Sequence, residues 1–352
     1  MKRKLKYGII GTGAIALDKH LPGYSALNEQ VEIIAACDID KQKLDSVGKM
    51  YGIPYLFTDY NDLLALEDID FVSICLPNYL HEPVTVQALK SNKHVHCEKP
   101  MAMNEKQAKT MYDTQKETGK QLMIGLNNRF MPSTMFAKKF VEEGHPGEIY
   151  YAKCGWLRRR GLPASEWFQN IALSGGGPLV DLGVHYIDLV MYLLDYPNPT
   201  AVTARTYRKF GGTDVSPLYA YQGAQAKWLY NVEDLVSGFL ELENDISVLF
   251  EISWASNVEK EEVFYELYGT KANIRYSNGE LKIFTAASGQ FADIIPQIEP
   301  SLYKDTEFTH FINCIKSNSM PSIVKTEQCV KMMKIIDAMY YSAEEKRQIR
   351  FN

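Results

Sequence analysis

What this 352-residue sequence lacks excludes several classes of protein. No apolar run approaches the roughly 20 residues that a membrane-spanning helix needs. The basic start, Met-Lys-Arg-Lys, is followed by an apolar run too short for a signal-peptide core, and that run predicts a first strand instead. With 38 Lys and Arg against 43 Asp and Glu, the net charge is only −5. This balance gives no electrostatic reason to expect nucleic acid or a membrane as a partner.

Cysteines are few and scattered along the chain. The six cysteines form none of the closely spaced pairs that zinc or redox motifs use, and no third ligand accompanies His94 and His96. The sequence therefore predicts no metal site. Cys37, Cys75 and Cys97 lie in apolar runs, as small buried residues do. This usage favours reduced thiols and a cytoplasmic protein.

The first third of the chain alternates short apolar runs with helical patterns. Runs with β-branched residues predict strands at 6–10, 31–37, 70–76, 94–98 and 121–126. The segments between them predict helices near 14–27, 40–50, 59–66, 82–91 and 104–118. Such alternation with short connections is typical of a parallel sheet with crossover helices, whose strands are covered on both faces.

The pattern changes after Gly125. Helices are predicted near 133–143, 179–194, 304–317 and 325–346, and a strand near 148–159. Consecutive strands are predicted at 200–209, 233–242, 246–255, 262–268 and 280–285. Strands without intervening helices favour a largely antiparallel sheet. We therefore predict an α/β protein of two domains, residues 1–125 and residues 126–352.

A dinucleotide-binding fingerprint, Gly11-Thr12-Gly13-Ala14-Ile15-Ala16, follows the first predicted strand. Gly11 permits a tight turn, Gly13 lets the backbone approach a pyrophosphate, and the small Ala16 allows close packing of helix on strand. Asp38 ends the second strand, where a carboxylate can bind both ribose hydroxyls and repel a 2′-phosphate. The fingerprint thus favours NAD over NADP, although Lys41 keeps NADP open, and the alternative is a glycine-rich turn that binds nothing.

Lys99 lies where an open α/β sheet holds its ligands. It follows a predicted buried strand, and Pro100 favours extended backbone at Lys99. The amine is therefore expected at the carboxyl end of that strand. There it can hydrogen-bond a substrate hydroxyl or help to move its proton.

A second reactive pair, Asp181 and His185, lies on a predicted helix after Gly-Gly-Gly-Pro. Residues four apart on a helix share a face, and Asp181 lies near the positive end of the helix. His185 is the natural base because the ordinary pKa of histidine lies near neutral pH. The alternative is an ordinary pair on a helix surface, and Asp188 either orients His185 or is solvated.

Five ordered motifs together resemble the Gfo/Idh/MocA oxidoreductases. They are Gly11–Ala16, Leu76-Pro77-Asn78 with His81, Glu98-Lys99-Pro100, Gly125–Phe130, and Gly175–Gly177 leading to Asp181 and His185. The resemblance implies an N-terminal Rossmann fold, residues 1–125, that binds a dinucleotide. It implies a C-terminal α/β domain, residues 126–352, whose large, mostly antiparallel sheet serves the substrate and self-association. It also implies homodimers or homotetramers that form through the exposed face of that sheet, and a cleft between domains for nicotinamide and sugar.

The residues and the resemblance assign three sets of site residues. The catalytic set is Lys99, Asp181 and His185. The cofactor set is Gly11, Thr12, Gly13, Ile15, Asp38, Pro77, Asn78, His81, Glu98 and Asn127. The substrate set is Arg129, Trp156, Arg159 and Trp167, because aromatic faces stack on sugars and arginines donate to hydroxyls.

Several of these assignments have structural alternatives. Asn78 is also a candidate helix cap, and Arg129 is also a candidate partner of a structural carboxylate. Of the three consecutive arginines, either Arg159 or both Arg158 and Arg160 face the site, unless the run is a solvated strand end. The tyrosine-rich segment 211–231 is either a lid or an oligomer contact.

The resulting hypothesis is an NAD(P)-dependent dehydrogenase that moves a hydride between a nicotinamide and a secondary alcohol of a sugar, cyclitol or sugar derivative. Lys99 and His185 handle the proton, and the immediate acceptor is left open. Two other functions stay possible at this point. One is a redox-neutral NAD-dependent glycosidase or lyase of the same family, and the other is a non-catalytic nucleotide-binding sensor.

Overall fold

The protein is described from a computed structural model over residues 3–163, 165–211 and 229–351. Tyr219 and Tyr221 of the predicted lid or contact segment lie outside these described residues. The chain divides into two compact units, Met1–Asn127 with Asp305–Lys331 and Asn128–Lys304 with Met332–Asn352. The assignment of residues 1–125 to cofactor binding and 126–352 to substrate binding and association stays a prediction.

The first unit is built on a parallel sheet. Its strands are β1 (Leu5–Ile10), β2 (Val31–Cys37), β3 (Tyr55–Phe57), β4 (Phe71–Ile74), β5 (His94–Cys97) and β6 (Leu122–Ile124). They lie in the order β3-β2-β1-β4-β5-β6, all parallel, which is the Rossmann order. The connecting helices are α1 (Leu21–Ser25), α2 (Lys41–Tyr51), α3 (Tyr60–Leu64), α4 (His81–Lys90) and α5 (Glu105–Thr118). The predicted parallel sheet with crossover helices is therefore confirmed.

Side-chain caps and glycines set the ends of these helices. Asp40 and Asn104 accept backbone N–H groups at the starts of α2 and α5. The same helices end at Gly52 and Gly119, whose φ angles are +66° and +67°. Glycine adopts this left-handed conformation without strain. Among the described residues, no helix is both long enough and apolar enough to span a membrane.

The second unit is built on a mixed sheet. Its strands are β7 (Ile149–Leu157), β8 (Pro199–Tyr207), β9 (Leu235–Leu242), β10 (Ser247–Ser253), β11 (Glu262–Gly269), β12 (Ala272–Ser277), β13 (Glu280–Ala287), β14 (Gln290–Ile294) and β15 (Ile349–Arg350). Their order is β14-β13-β12-β11-β7-β10-β9-β8-β15. The described pairs are antiparallel except β7 with β10, so the predicted mostly antiparallel sheet is confirmed.

Helices accompany this sheet and close the chain. They are α6 (Pro132–Glu142), α7 (Glu166–Gln169), α8 (Ile171–Ser174), α9 (Val184–Leu193), α10 (Glu307–Ser317) and α11 (Thr326–Glu345). The helix α9 is buried along most of its length and packs on β7 and β11. Although α10 follows most of the second unit in sequence, it belongs to the first.

The face of the large sheet that lies away from α9 is partly apolar and exposed. One row of registered neighbours crosses β8, β9, β10, β7 and β11 and consists of Thr203, Phe239, Leu249, Lys153 and Glu266. Phe239 is 38% exposed and its neighbour Leu249 is 42% exposed. Large apolar side chains at neighbouring positions are typical of a surface that another chain covers.

A buried polar cluster joins α10 to the parallel sheet of the first unit. The Nδ1 atom of His96 lies 2.8 Å from the Tyr24 hydroxyl, and its Nε2 atom lies 3.8 Å from a carboxyl oxygen of Glu307. Burial, reinforced by the negative charge of Glu98, raises the pKa of Glu307 to about 7. Burial lowers the pKa of His96 well below its usual value. Near neutral pH this cluster therefore holds a neutral histidine beside a carboxyl group that is only partly ionised.

We expect Glu307→Gln to remove a pH dependence of folding stability. The folded chain keeps the Glu307 proton up to about pH 7, whereas the pKa of this group in the unfolded chain is 4.5. Its contribution to stability is thus complete below pH 4.5 and is lost as the pH rises to about 7, at most about 3 kcal/mol.

Urea unfolding followed by circular dichroism at about pH 5 and about pH 8 measures this effect. The free energy of unfolding should fall more over this range in the wild type than in E307Q. The exposed Glu29→Gln in the same unit is the control. Equal pH dependence in the wild type and E307Q would contradict the expectation.

Candidate active site

The turn after β1 has the geometry that a dinucleotide requires. Gly11 has a φ of +92°, and a Cβ atom there would overlap the carbonyl oxygen of Cys75. At Gly13, by contrast, an added Cβ would meet nothing within 4 Å, so the backbone is open to a ligand. A π-helical turn, Ala16–His20, follows and leads into α1. The half-buried Ile15 is the residue at which that turn begins.

Asp38 lies against the fingerprint turn, as the sequence predicts. One carboxylate oxygen accepts hydrogen bonds from the backbone N–H of Thr12 at 2.7 Å and from its hydroxyl at 2.9 Å. The other oxygen accepts the backbone N–H of Asp40 at 2.9 Å. These bonds fix the carboxylate at the end of β2, beside the turn where the ribose of a dinucleotide is held in Rossmann folds.

His81 ties together two loops at the carboxyl edge of the parallel sheet. Its Nδ1 atom lies 2.7 Å from the carbonyl oxygen of Pro100, and its Nε2 atom lies 2.8 Å from that of Leu76. Burial lowers the pKa of His81, although both carbonyls favour the charged ring. Since both ring nitrogens face backbone carbonyl oxygens, the geometry favours a positioning role for His81 over direct contact with a cofactor. Pro77 and the buried Asn78 lie in the loop that His81 holds.

Glu98 fixes the backbone of Lys99 through a hydrogen bond. One of its oxygens accepts the Lys99 N–H at 3.1 Å, and the other lies 2.9 Å from Nε2 of His20, whose Nδ1 bonds to Ser73. Burial would raise the pKa of Glu98, but the bond from His20 and nearby positive charge lower it to about 2. Burial works against a charged His20, but the Cys75 sulfur and Glu98 outweigh it and raise the pKa of His20 well above its usual value. A buried ion pair thus fixes the start of the Lys99–Pro100 segment, while the Lys99 side chain is half-buried.

These residues of the first unit fit NAD. Gly13 leaves an open cradle, and Asp38 lies beside it. The buried side-chain oxygen of Asn127, just after β6, has no hydrogen-bond partner among the described residues. An unsatisfied buried acceptor is costly unless a ligand or water completes it. Asn127 is therefore suited to receive a hydrogen bond from a bound cofactor.

Asp181 lies in a π-helical turn directly before α9. The turn spans Leu179–Gly183 and continues directly into α9. One oxygen of Asp181 accepts the indole N–H of Trp254 at 2.9 Å. Trp254 is fully buried, so this bond holds the carboxylate in one orientation. The sequence did not single out Trp254, because a tryptophan at the end of a strand is indistinguishable from an ordinary core residue.

His185 lies in the first turn of α9 beside an aromatic platform. Its ring centre is 6.1 Å from that of Trp156, and both side chains are half-buried. The Trp156 indole N–H donates to Glu261 at 2.7 Å, and the Arg158 guanidinium stacks over the indole at 4.7 Å. A flat indole flanked by a carboxylate and a guanidinium can bind the apolar face and the hydroxyls of a sugar. Glu261 and Arg158 are therefore further candidates for the substrate set that the sequence predicted.

A buried carboxylate caps the segment that carries Asp181. Glu233 accepts the backbone N–H groups of Gly177 at 3.0 Å and Leu179 at 3.1 Å, and the hydroxyl of Tyr340 at 2.8 Å. Burial raises the pKa of Glu233 although these three donors oppose the shift. Sequence reasoning missed Glu233, and the signal that points to it is the run of three glycines, Gly175–Gly177.

Arg129 has the geometry of a structural residue. Its guanidinium is fully buried and donates to both oxygens of Asp188, at 2.8 and 2.6 Å. Tyr196 donates its hydroxyl to the same carboxylate at 2.6 Å, and the Tyr192 ring covers the guanidinium at 4.7 Å. This geometry favours the structural alternative for Arg129 over substrate binding. It also commits Asp188 to Arg129 rather than to orienting His185.

The arginine run and Trp167 complete the predicted substrate set. Arg159 is exposed and donates to the carbonyl oxygen of Glu259 at 3.1 Å, and Arg160 donates to that of Ser256 at 2.8 Å. Both arginines thus fasten the loop after β10. Trp167 stacks on Phe168 with ring centres 3.7 Å apart. Phe168 in turn packs edge-on against Trp254, so Trp167 belongs to the aromatic group around Asp181.

Within each unit the structure brings most predicted residues together. In the first unit, the fingerprint turn and Asp38 form one group, and Glu98, Lys99, Pro100 and His81 form another at the same edge of the sheet. In the second unit, Asp181 and Trp167 belong to the aromatic group around Trp254, and His185 lies beside Trp156. Arg129 and Arg159 instead bond to a buried carboxylate and to a surface loop.

Both parts of the chain match models of one protein family. Residues 5–126 match the oxidoreductase family model for the NAD-binding Rossmann fold, and residues 138–351 match the model for its C-terminal alpha/beta domain. The chain is 31% identical over 350 residues to the D-glucoside 3-dehydrogenase of Escherichia coli (strain K12). The aligned region covers 97% of this chain and 95% of that protein.

Solved structures share the fold. A levoglucosan dehydrogenase in complex with NADH has a TM-score of 0.87 at 22% identity and covers 99% of this chain and all of that one. An aldose-aldose oxidoreductase from Caulobacter crescentus, complexed with glycerol, has a TM-score of 0.81 at 26% identity with similar coverage. The chain therefore belongs to the Gfo/Idh/MocA oxidoreductase family and is an NAD-dependent dehydrogenase.

Proposed function

We propose that this dehydrogenase moves a hydride between NAD and a secondary alcohol of a sugar, cyclitol or sugar derivative. The observation that carries the proposal is the position of Lys99 directly after β5, at the same edge of the sheet as the fingerprint turn and Asp38. In open α/β sheets this edge is where the ligand binds. Gly11, Gly13, Asp38 and Asn127 would hold NAD, which when bound accepts or returns the hydride at its nicotinamide ring.

The protein's own task is to move the hydroxyl proton and to hold the alcohol. In this proposal the Lys99 amine hydrogen-bonds the reacting oxygen and stabilises negative charge on it as the hydride leaves. His185 takes the proton, directly or through Lys99. Asp181, held by Trp254, accepts a hydrogen bond from a neighbouring hydroxyl. General acid–base assistance of this kind contributes roughly 10²–10⁴-fold to the rate.

The relative from Escherichia coli suggests which alcohol to test first. That protein, 31% identical to this chain, is named for the 3-position of a D-glucoside. Trp156, with Glu261 and Arg158 beside it, offers a surface for a sugar ring. We therefore propose the 3-hydroxyl of a D-glucoside as the first substrate to test, with other sugars and inositols next.

We also propose that the enzyme is a homodimer or homotetramer that forms through the outer face of the large sheet. The exposed neighbours Phe239 and Leu249 support this arrangement.

A cytoplasmic location is a further proposal. Its support is that the six cysteines are all buried as free thiols, which suits a reducing compartment.

The first test replaces the amine. Lys99→Ala should lower kcat by roughly 10²–10⁴-fold, because the reacting oxygen loses its hydrogen-bond donor. NADH binding, followed by fluorescence, should be retained. Lys109→Ala, an exposed lysine on α5 that pairs with Asp113, is the control and should turn over normally. Near wild-type turnover by K99A on the best substrate would overturn the proposed role.

The second test concerns the choice of cofactor. Asp38→Ser should lower kcat/KM for NAD and raise the NADP-to-NAD ratio, because a carboxylate beside the ribose repels a 2′-phosphate. Steady-state rates with both cofactors measure this ratio. Asp45→Ala, an exposed acid on α2 paired with Lys41, is the matched control. An unchanged ratio in D38S would show that Asp38 does not contact the ribose.

The third test concerns self-association. Phe239→Lys combined with Leu249→Lys places two like charges at neighbouring positions of the outer face. The molar mass by light scattering should fall toward 40.1 kDa, the mass of one chain. Leu302→Lys, at a 76% exposed position outside the sheet, should leave the mass unchanged. A monomeric wild type, or an unchanged mass in the double variant, would contradict this interface.

A further inference from the structure

The glycine run before α9 has a steric purpose that a helix start alone does not require. A Cβ atom at Gly176 would overlap the hydroxyl oxygen of Tyr340, and one at Gly177 would overlap the carbonyl oxygen of Glu233. Neither glycine has a positive φ, whereas Gly175 does. Gly176 and Gly177 are therefore required by the close approach of Tyr340 and Glu233, not by their own backbone conformation.

Glu233 approaches these glycines, and its carboxylate caps the helix that carries Asp181 and His185. The first N–H groups of a helix have no partner within it and must bond elsewhere. Glu233 accepts two of them, from Gly177 and Leu179, and its third bond is to Tyr340. Only 7% of Glu233 is exposed, so the bonds form out of water, where an unsatisfied carboxylate is costly. The start of the helix is thereby fixed two residues before Asp181.

A second series of hydrogen bonds links Asp234, the residue after Glu233, to Asp181 itself. The backbone carbonyl of Asp234 accepts the N–H of Trp254 at 3.0 Å. The indole of Trp254 then donates to the carboxylate of Asp181 at 2.9 Å. Glu233 and Asp234 thus hold both the backbone before Asp181 and the side chain of Asp181.

We propose that Glu233, supported by Tyr340, is a positioning residue that orients the π-helical turn Leu179–Gly183 so that Asp181 and His185 meet the reacting alcohol. This inference rests on the proposed function of that pair. Glu233 touches neither substrate nor cofactor in this proposal and acts only through the helix. Misplacement of a catalytic group by about 1 Å is enough to cost roughly 10²-fold in rate.

The experiment compares Glu233→Gln with Tyr340→Phe. Gln keeps the size of the side chain but replaces one of the two oxygens that accept the Gly177 and Leu179 N–H groups with a donor. We expect kcat to fall about 10- to 100-fold in E233Q and less in Y340F, which removes one of three bonds. The Kd for NADH should not change in either variant. Glu243→Gln, whose carboxylate accepts the backbone N–H of Asn198, is the matched control and should keep wild-type kcat.

A double-mutant cycle separates positioning from general damage to the fold. If Glu233 acts through His185, E233Q should lower the residual rate of His185→Ala by less than about 3-fold, because the misplaced group is already absent. Asp181→Asn keeps His185, so E233Q should lower its residual rate by more than it lowers that of His185→Ala. Hydrogen exchange of the Gly177 and Leu179 amides should be faster in E233Q than in the wild type.

Three outcomes would overturn the inference. They are wild-type kcat in both E233Q and Y340F, an effect of E233Q that is fully additive with H185A, and unchanged exchange of the Gly177 and Leu179 amides. Failure of the proposed function has a different signature. In that case H185A and D181N themselves keep wild-type turnover, whatever E233Q does. If E233Q does not fold, Y340F carries the same cycle.

Discussion

Buried carboxylates that accept hydrogen bonds from backbone N–H groups hold the segments that carry Lys99 and Asp181. In the first unit, Glu98 bonds to the N–H of Lys99; in the second, Glu233 bonds to the N–H groups before Asp181. A carboxylate out of water is stable only while its oxygens stay bonded. Any shift of these backbone segments would therefore leave a buried charge unsatisfied. In the proposed mechanism the chemistry is carried by half-buried side chains, and their positions depend on these buried carboxylates.

Each reactive region also contains a π-helical turn. In the first unit, the turn Ala16–His20 ends at the histidine that reaches Glu98. In the second unit, Asp181 lies in the middle of the turn Leu179–Gly183. A π turn contains one residue more than an α turn and rotates the side chains that follow it. Residues four apart share a face in a regular α-helix. Because Asp181 lies in a π turn, its relation to His185 depends on how the start of this helix is held.

The sequence predicted the elements whose residues are buried on a regular pattern. The central strands of the first unit are continuous apolar runs, and each was predicted within a few residues. The strands β3, β12, β14 and β15 were missed, because β3 and β15 are three and two residues long and β14 is an exposed edge. In β12, Asn273 and Arg275 alternate with buried residues, which is a strand pattern that the sequence reasoning overlooked. Gly11 and Asp38 were found because backbone geometry restricts which residues fit there.

The partners of the reactive residues were harder to find, because chemically identical side chains serve different purposes. Asp181 and Asp188 lie on one helical segment, yet one bonds to an indole and the other to a buried guanidinium. Those partners come from positions far away in the chain, and no local pattern marks them. The clearest local signal of Glu233 was the glycine run itself. One glycine is enough to end a short helix, so a second and a third in succession imply that another group approaches the backbone too closely for any side chain.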